Sequence, residues 1–265
     1  MALESFSESD FSLALKRNIR ALTVGKFPSG HPEAILLGGQ SGAGKTLLHR
    51  IKKEEFQSNI IIIDGDLFRF QHPNYEELYK RYGKDAIQYT NAFAGKMVEE
   101  LILDLSEKGY SLLIEGTLRN SEVPKKTAKL LKSRKYHVSL VIMACKPELS
   151  HLSTIIRYEE MYSIDKFRAR ATERAIHDEI VQHLVSNIEI LEQEKIFENI
   201  QVYQRDSSCV YDSEIDSGEA SQKVKEILFG QWSLFEKEML KSEEERLKKL
   251  QERNGNTEES KDSFL

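Results

Sequence analysis

Ala34-Ile-Leu-Leu-Gly-Gly-Gln-Ser-Gly-Ala-Gly-Lys-Thr46, continuing into Leu47-Leu48-His49-Arg50, decides the fold. Its apolar start, Ala34 to Leu37, reads as a buried strand that breaks into a glycine-rich loop and then opens a helix. Gly39, Gly44, Lys45 and Thr46 complete the G-x-x-x-x-G-K-[ST] pattern of a phosphate-binding P-loop. Glycines let the backbone wrap phosphate oxygens with its N–H groups, and the helix N-terminus adds partial positive charge. The expected nucleotide-binding set is therefore Gly39, Gln40, Ser41, Gly42, Ala43, Gly44, Lys45 and Thr46. Lys45 is placed on the β/γ-phosphates and the Thr46 hydroxyl on Mg²⁺, so the cofactors expected are ATP and Mg²⁺. A merely glycine-rich turn is set aside because a strand precedes the loop and a helix follows it.

Around this unit the chain alternates strands and helices. Four isoleucines, Ile60 to Ile63, mark a strand buried on both faces that ends in Asp64-Gly65-Asp66. Ser111 to Ile114 ends in Glu115-Gly116-Thr117-Leu118-Arg119, and Val138 to Ala144 ends at Lys146-Pro147. Ile200 to Tyr203 and Cys209 to Tyr211 read as a last sheet strand and a hairpin partner. Helices are expected over Asp10–Leu22, from the P-loop to Phe56, and over Asn74–Tyr82, Asp85–Lys108 and Pro124–Lys132. Two more are expected over Glu148–Tyr162 and Glu173–Glu194, the second capped by Thr172, and a long one runs from Gly218 to Arg253. The pattern specifies an α/β, P-loop kinase-like three-layer fold with a mostly parallel sheet, a helical lid excursion and a long C-terminal helix. The lid is the basic break Ser163–Arg170 between two helices. One domain over 1–240 is expected, with 241–265 as a charged, solvated helical tail.

In an open parallel sheet, ligand-handling groups gather beyond the carboxyl ends of the strands. Phosphoryl transfer needs positioning and positive charge more than covalent chemistry. Asp66 sits at the correct edge to be the acceptor's base. Asp64 is read either as a metal ligand or as structuring its turn, and Glu115 either as assisting Mg²⁺ or as holding the acceptor's hydroxyls. Arg157 and Arg170 are read either as clamps on the transferred group or as ordinary surface or capping arginines. A basic lid with no coupling motif favours a small-molecule kinase over a water-activating ATPase.

Composition narrows the class. The net charge of −5 over 265 residues gives no basic field for a nucleic acid. No apolar run reaches the roughly eighteen residues of a membrane span. Two cysteines, Cys145 and Cys209, are too few for a disulfide framework and suit a reducing compartment, so a cytoplasmic location is expected.

Taken together, Leu37–Thr46, Ile62–Asp66 with Gln71-His-Pro73, Ile114–Thr117 with Arg119, Ile156–Glu159 and Arg168–Thr172 resemble the zeta toxin family, in its PezT-type branch. The similarity runs from about Asp10 to about Leu240 and takes in Tyr203–Asp206. The resemblance implies the toxin of a toxin–antitoxin system: a kinase that phosphorylates the 3′-hydroxyl of the amino sugar of UDP-N-acetylglucosamine and so blocks peptidoglycan synthesis. It implies Asp66 as base and Arg157 and Arg170 as a γ-phosphate clamp. It places Glu99, Glu115, Thr117 and Arg119, with Asp66, around the nucleotide-sugar. It further implies a small helical antitoxin of epsilon type, in a heterotetramer, whose N-terminal helix covers the ATP site, and a monomer when alone. Leu118 stands where some members carry glycine, so the loop bearing Thr117 and Arg119 is expected to be less permissive. The alternatives are a kinase of another hydroxylated small molecule and a catalytically weak antitoxin-binding module.

Overall fold

In the computed structural model, which describes residues 2–255, the apolar runs pair into one sheet. Its strands are β1 (Glu33–Gly38), β2 (Ile61–Asp64), β3 (Leu112–Glu115), β4 (His137–Met143), β5 (Asn199–Tyr203) and β6 (Cys209–Asp212). Their order is β2-β3-β1-β4-β5-β6. The first five are parallel, and β6 returns antiparallel to β5 past a bulge at Val202/Tyr203. Parallel neighbours require crossovers, which the helices supply.

The helices are α1 (Glu8–Thr23), α2 (Lys45–Glu55), the single turn α3 (Gly65–Phe68), α4 (Tyr75–Tyr82), α5 (Asn91–Glu107), α6 (Glu122–Ser133), α7 (Pro147–Ile164), α8 (Arg174–Gln193), α9 (Ala220–Phe229) and α10 (Leu234–Asn254). Side chains of a strand alternate between its faces, so the sheet feeds two cores. Ile35, Leu37, Leu113, Val141 and Met143 meet Leu48 of α2 and Leu149 of α7 on one side. Leu36, Ile61, Ile63, Ile114 and Leu140 meet Phe11, Phe93, Met97, Leu184 and Val224 on the other. Each such fully buried side chain contributes about 1.5–3 kcal/mol of transfer free energy. The strands buried on both faces are the isoleucine- and leucine-rich runs, as expected for a parallel sheet.

Three local expectations are corrected. The helix expected from Asp85 begins with a 3₁₀ stretch, Gly83–Thr90, and becomes α-helical only at Asn91. There the Thr90 hydroxyl bonds to Ile87 O and Tyr82 stacks on Tyr89 at 4.0 Å, contacts that hold the tighter winding. Thr172 does not cap α8: its hydroxyl accepts from Arg157 Nη2 at 3.3 Å, and Glu173 takes the cap position.

The long C-terminal helix is two helices. Gly230 ends α9, where a Cβ would lie 2.3 Å from Glu226 O. Lys146 Nζ donates to Gly230 O at 2.8 Å and lies over the Trp232 ring, which holds the break against the second core. Ser233 then restarts the chain with a capping box: its hydroxyl accepts from Glu236 N and the Glu236 carboxylate accepts from Ser233 N. The charged stretch of α10 has no buried residue, but one edge lies along α7. Arg246 pairs with Glu160, and Asn254 Nδ2 donates to Glu159 O at 2.9 Å.

Ser233→Ala removes the reciprocal cap and should destabilise the protein by about 1 kcal/mol, measured by urea unfolding. An unchanged midpoint would mean that α10 is held by α7 alone.

Candidate active site

The P-loop leaves β1 after Gly38 and closes into α2 at Lys45. Gly42 has φ +76, and a Cβ there would lie 2.0 Å from Ser150 O of α7, so the loop is pressed against that helix. Arg205, beyond β5, braces the loop from outside. Its guanidinium donates to Gly42 O, to Ala43 O at 3.3 Å and to Ser153 Oγ at 2.6 Å. A trans peptide aims its N–H opposite its carbonyl, so the outward Ala43 carbonyl directs the Gly44 N–H to the other side. Gln40 Nε2 donates to Cys145 O at 2.7 Å and ties the loop to the end of β4. Lys45 is buried, and its ammonium donates to Gly39 O at 2.9 Å and Gln40 O at 3.2 Å. Burial pushes its pKa down, with Glu115 opposing.

Strand register sets the acids beside it. Leu37 of β1 pairs with Glu115 of β3, and Glu115 with Asp64 of β2. Three strands therefore end level, at the mouth of the loop. Asp64 Oδ1 accepts from Asp66 N at 3.0 Å and caps α3, which accounts for the first aspartate of the pair as a turn-former. Burial, with Glu115 and Asp66 alongside, raises its carboxyl above the ordinary range. Glu115 lies 3.8 Å from Lys45 Nζ and 2.7 Å from His49 Nε2. Burial alone would raise its carboxyl, but His49 and Lys45 outweigh that and lower it.

Asp66 carries two arginines, Arg69 Nε on Oδ1 and Arg170 Nη1 on Oδ2, both at 3.0 Å. Burial again pushes upward, and Arg170 then Arg69 hold the carboxyl below its usual range. Arg157, on α7, completes the group. Burial and the neighbouring Arg170 push its guanidinium down. The Nε atoms of Arg157 and Arg170 are both buried and without a hydrogen-bond partner among the described residues. Unmet buried donors on two neighbouring cations mark a place built for an anion.

The segment that carries Arg170 is fastened across the site. Tyr75 OH donates to Phe167 O and Tyr79 OH to Lys166 O, each at 2.9 Å, while Gln88 donates to Glu173. α4 and the 3₁₀ stretch thus fasten the expected lid segment.

Next to Asp66 opens a cleft of about 940 Å³, lined by Glu99, Glu115, Thr117 and Arg119 together with Arg69 and Asn91. Four of the five residues expected around the acceptor line it; the fifth, Asp66, does not, and adjoins it through its partner Arg69. Leu118 takes φ +56, the left-handed region that glycine favours. Gly38 opposite makes this possible, since a Cβ on it would lie 2.2 Å from Leu118 Cδ1, and the buried Asn187 donates to Leu118 O at 2.9 Å. The loop expected to be less permissive therefore holds a glycine-like turn with a leucine. Arg119 makes a two-point contact with Glu179 of α8 at 2.9 and 2.6 Å.

Arg69, His49 and Arg205 are site residues that the sequence reading passed over. Arg69 and His49 had a signal, since each falls one helical turn after a motif residue, Asp66 and Lys45. Arg205 lies in the Tyr203–Asp206 stretch of the resemblance, but only the fold brings it to the loop. For Mg²⁺ the donors fit in type. Thr46 is exposed in the first turn of α2, and Asp64, Asp66 and Glu115 crowd negative charge together at the strand ends. Among the described residues no three acidic, His or Cys side chains form a metal cage. That is the usual case for an ion held mostly by water and nucleotide phosphates.

Comparison with known proteins places this geometry. The family model described as zeta toxin matches residues 20–216. Toxin PezT of Streptococcus pneumoniae serotype 4 is 58% identical over 253 residues, covering 96% of this chain and all of that one. Toxin zeta of Streptococcus agalactiae is 41% identical over 211 residues, 80% of this chain and 74% of its own. A solved structure of the PezAT chromosomal toxin–antitoxin system of S. pneumoniae superposes with a TM-score of 0.87 at 57% identity, over 95% of this chain and 100% of that one.

Gly42→Ala forces a Cβ into Ser150 O in left-handed backbone, and should cost about 2 kcal/mol or more in urea unfolding. A wild-type midpoint would contradict the contact between loop and α7.

Proposed function

This chain belongs to the zeta toxin family, and we propose that it is an ATP-dependent kinase acting on the 3′-hydroxyl of the N-acetylglucosamine of UDP-N-acetylglucosamine. The product would block peptidoglycan synthesis and so make the chain the toxin of a toxin–antitoxin pair. One observation carries the reading. Lys45, Arg157 and Arg170, two of them with unmet buried donors, gather near Asp66, whose partner Arg69 lines a cleft large enough for a nucleotide-sugar.

Lys45 and the loop amides hold the β- and γ-phosphates. The acceptor lies in the cleft, where Glu99, Glu115 and Thr117 take its hydroxyls and Arg119 its negative charge. Asp66 accepts the hydroxyl proton as the oxygen bonds to the γ-phosphorus and the bond to the β–γ bridging oxygen breaks. Arg157 and Arg170 face the charge on the moving phosphoryl group, a role worth about 10³- to 10⁵-fold in rate. Mg²⁺, held by Thr46 with Asp64 and Glu115 nearby, would neutralise charge between the phosphates.

A helical antitoxin is the proposed partner, in keeping with the toxin–antitoxin complex that this chain superposes on. By the same reading it would cover the P-loop side and the region of α1, which packs with α5 on the other face of the sheet from α2.

The purified chain incubated with Mg-ATP and UDP-N-acetylglucosamine should yield a sugar-phosphorylated product. Asp66→Asn should lower kcat about 10²- to 10⁴-fold, the contribution of a positioned base. Wild-type turnover by that variant would remove Asp66 from the mechanism.

A further inference from the structure

The two oxygens of Asp66 are held in different ways. Oδ1 accepts from Arg69 Nε, and Arg69 is itself anchored, donating through Nη1 to Asn91 Oδ1 at 2.5 Å and to Ile87 O at 3.2 Å. Those anchors belong to the 3₁₀ stretch and the first residue of α5, both packed in place. Arg69 cannot leave Asp66 without giving up its other bonds.

Oδ2 faces Arg170, which stands on the connection between α7 and α8 and not within a helix. Arg170 Nε is buried with no partner among the described residues, and so is Nε of Arg157 beside it. Asp66 attracts both arginines but meets neither Nε. A phosphate offers acceptors for both unmet donors, and charge-assisted bonds to it are stronger than neutral ones.

We infer that the two arginines divide the base: Arg69 is a fixed positioning residue on Oδ1, whereas Arg170 covers Oδ2 only until the nucleotide's terminal phosphate draws it away. The inference rests on the phosphoryl-transfer reading above. A phosphate that takes the unmet Nε donors of both arginines competes with Asp66 for the charge of Arg170, and so draws its guanidinium off Oδ2. When it turns to the phosphate, Oδ2 becomes available to the acceptor's hydroxyl, on the side of the carboxylate that Arg69 leaves open. Nucleotide and acceptor therefore bind with positive coupling, and each tightens the other by the same factor.

The test is the affinity of UDP-N-acetylglucosamine for the full chain, by calorimetry, with and without saturating Mg-AMP-PNP. In the wild type the nucleotide should tighten the acceptor by roughly tenfold, within the usual range of coupling between sites. In Arg170→Ala the acceptor should bind the nucleotide-free protein almost as tightly as the loaded one. Asp66→Asn, which leaves the lid sequence intact, should close the same gap. Arg69→Ala should keep the coupling and lose about tenfold in kcat, with partial recovery in Arg69→Lys. Coupling that persists in Arg170→Ala, or that Arg69→Ala abolishes, would overturn the division of roles. Wild-type affinity that the nucleotide leaves unchanged would overturn the exchange alone. Absence of acceptor affinity under every condition would remove the acceptor reading, and this inference with it.

Discussion

The parallel register of three strands is the constraint on which the site depends. Because Leu37, Glu115 and Asp64 are paired residue for residue, the P-loop, the second acid and the first acid all leave the sheet at one level. A slip of one residue in β2 or β3 would turn its acid into the opposite layer. The two apolar cores fix that register, since each face of β1, β2 and β3 buries side chains that cannot be exchanged between layers. Packing far from the chemistry thus sets the spacing of the groups that perform it.

What the register gathers would be unstable if it were uncompensated. Asp64, Asp66 and Glu115 are interleaved with Lys45, Arg157 and Arg170 in one buried group. Two of the carboxylates are pulled by different cations, Glu115 by Lys45 and His49, Asp66 by Arg69 and Arg170, while Asp64 accepts the backbone N–H of Asp66. Separated ions in a buried place are costly, and pairing with good hydrogen bonds is what offsets that cost. Here the pairing is incomplete, because two arginine Nε atoms remain unmet. The unmet donors tie the electrostatics to a ligand: the site neutralises itself as far as protein groups allow and leaves room for one more anion.

The sequence disclosed most of this because most of it is local. The strand–loop–helix of the P-loop, the acids at strand ends and the basic break between α7 and α8 are contiguous patterns, and each lies where the pattern placed it. What escaped is what only folding brings together. Arg205 reaches the P-loop from beyond β5, Asn187 of α8 holds the Leu118 carbonyl, and Asn91 anchors the arginine that fixes Asp66. The turn at Leu118 belongs with these: the room it needs is left by Gly38, two strands away in sequence and adjacent in the sheet. The single long C-terminal helix failed on a local signal that was present, the Ser233 and Glu236 capping box behind Gly230.

The most direct test of the central claim is a crystal structure of the chain with Mg-AMP-PNP and UDP-N-acetylglucosamine bound together. The account predicts the γ-phosphate among Lys45, Arg157 and Arg170, and the sugar's 3′-hydroxyl within hydrogen-bond distance of Asp66 Oδ2. A hydroxyl bound away from Asp66, or an acceptor outside the cleft between Glu99 and Arg119, would contradict it.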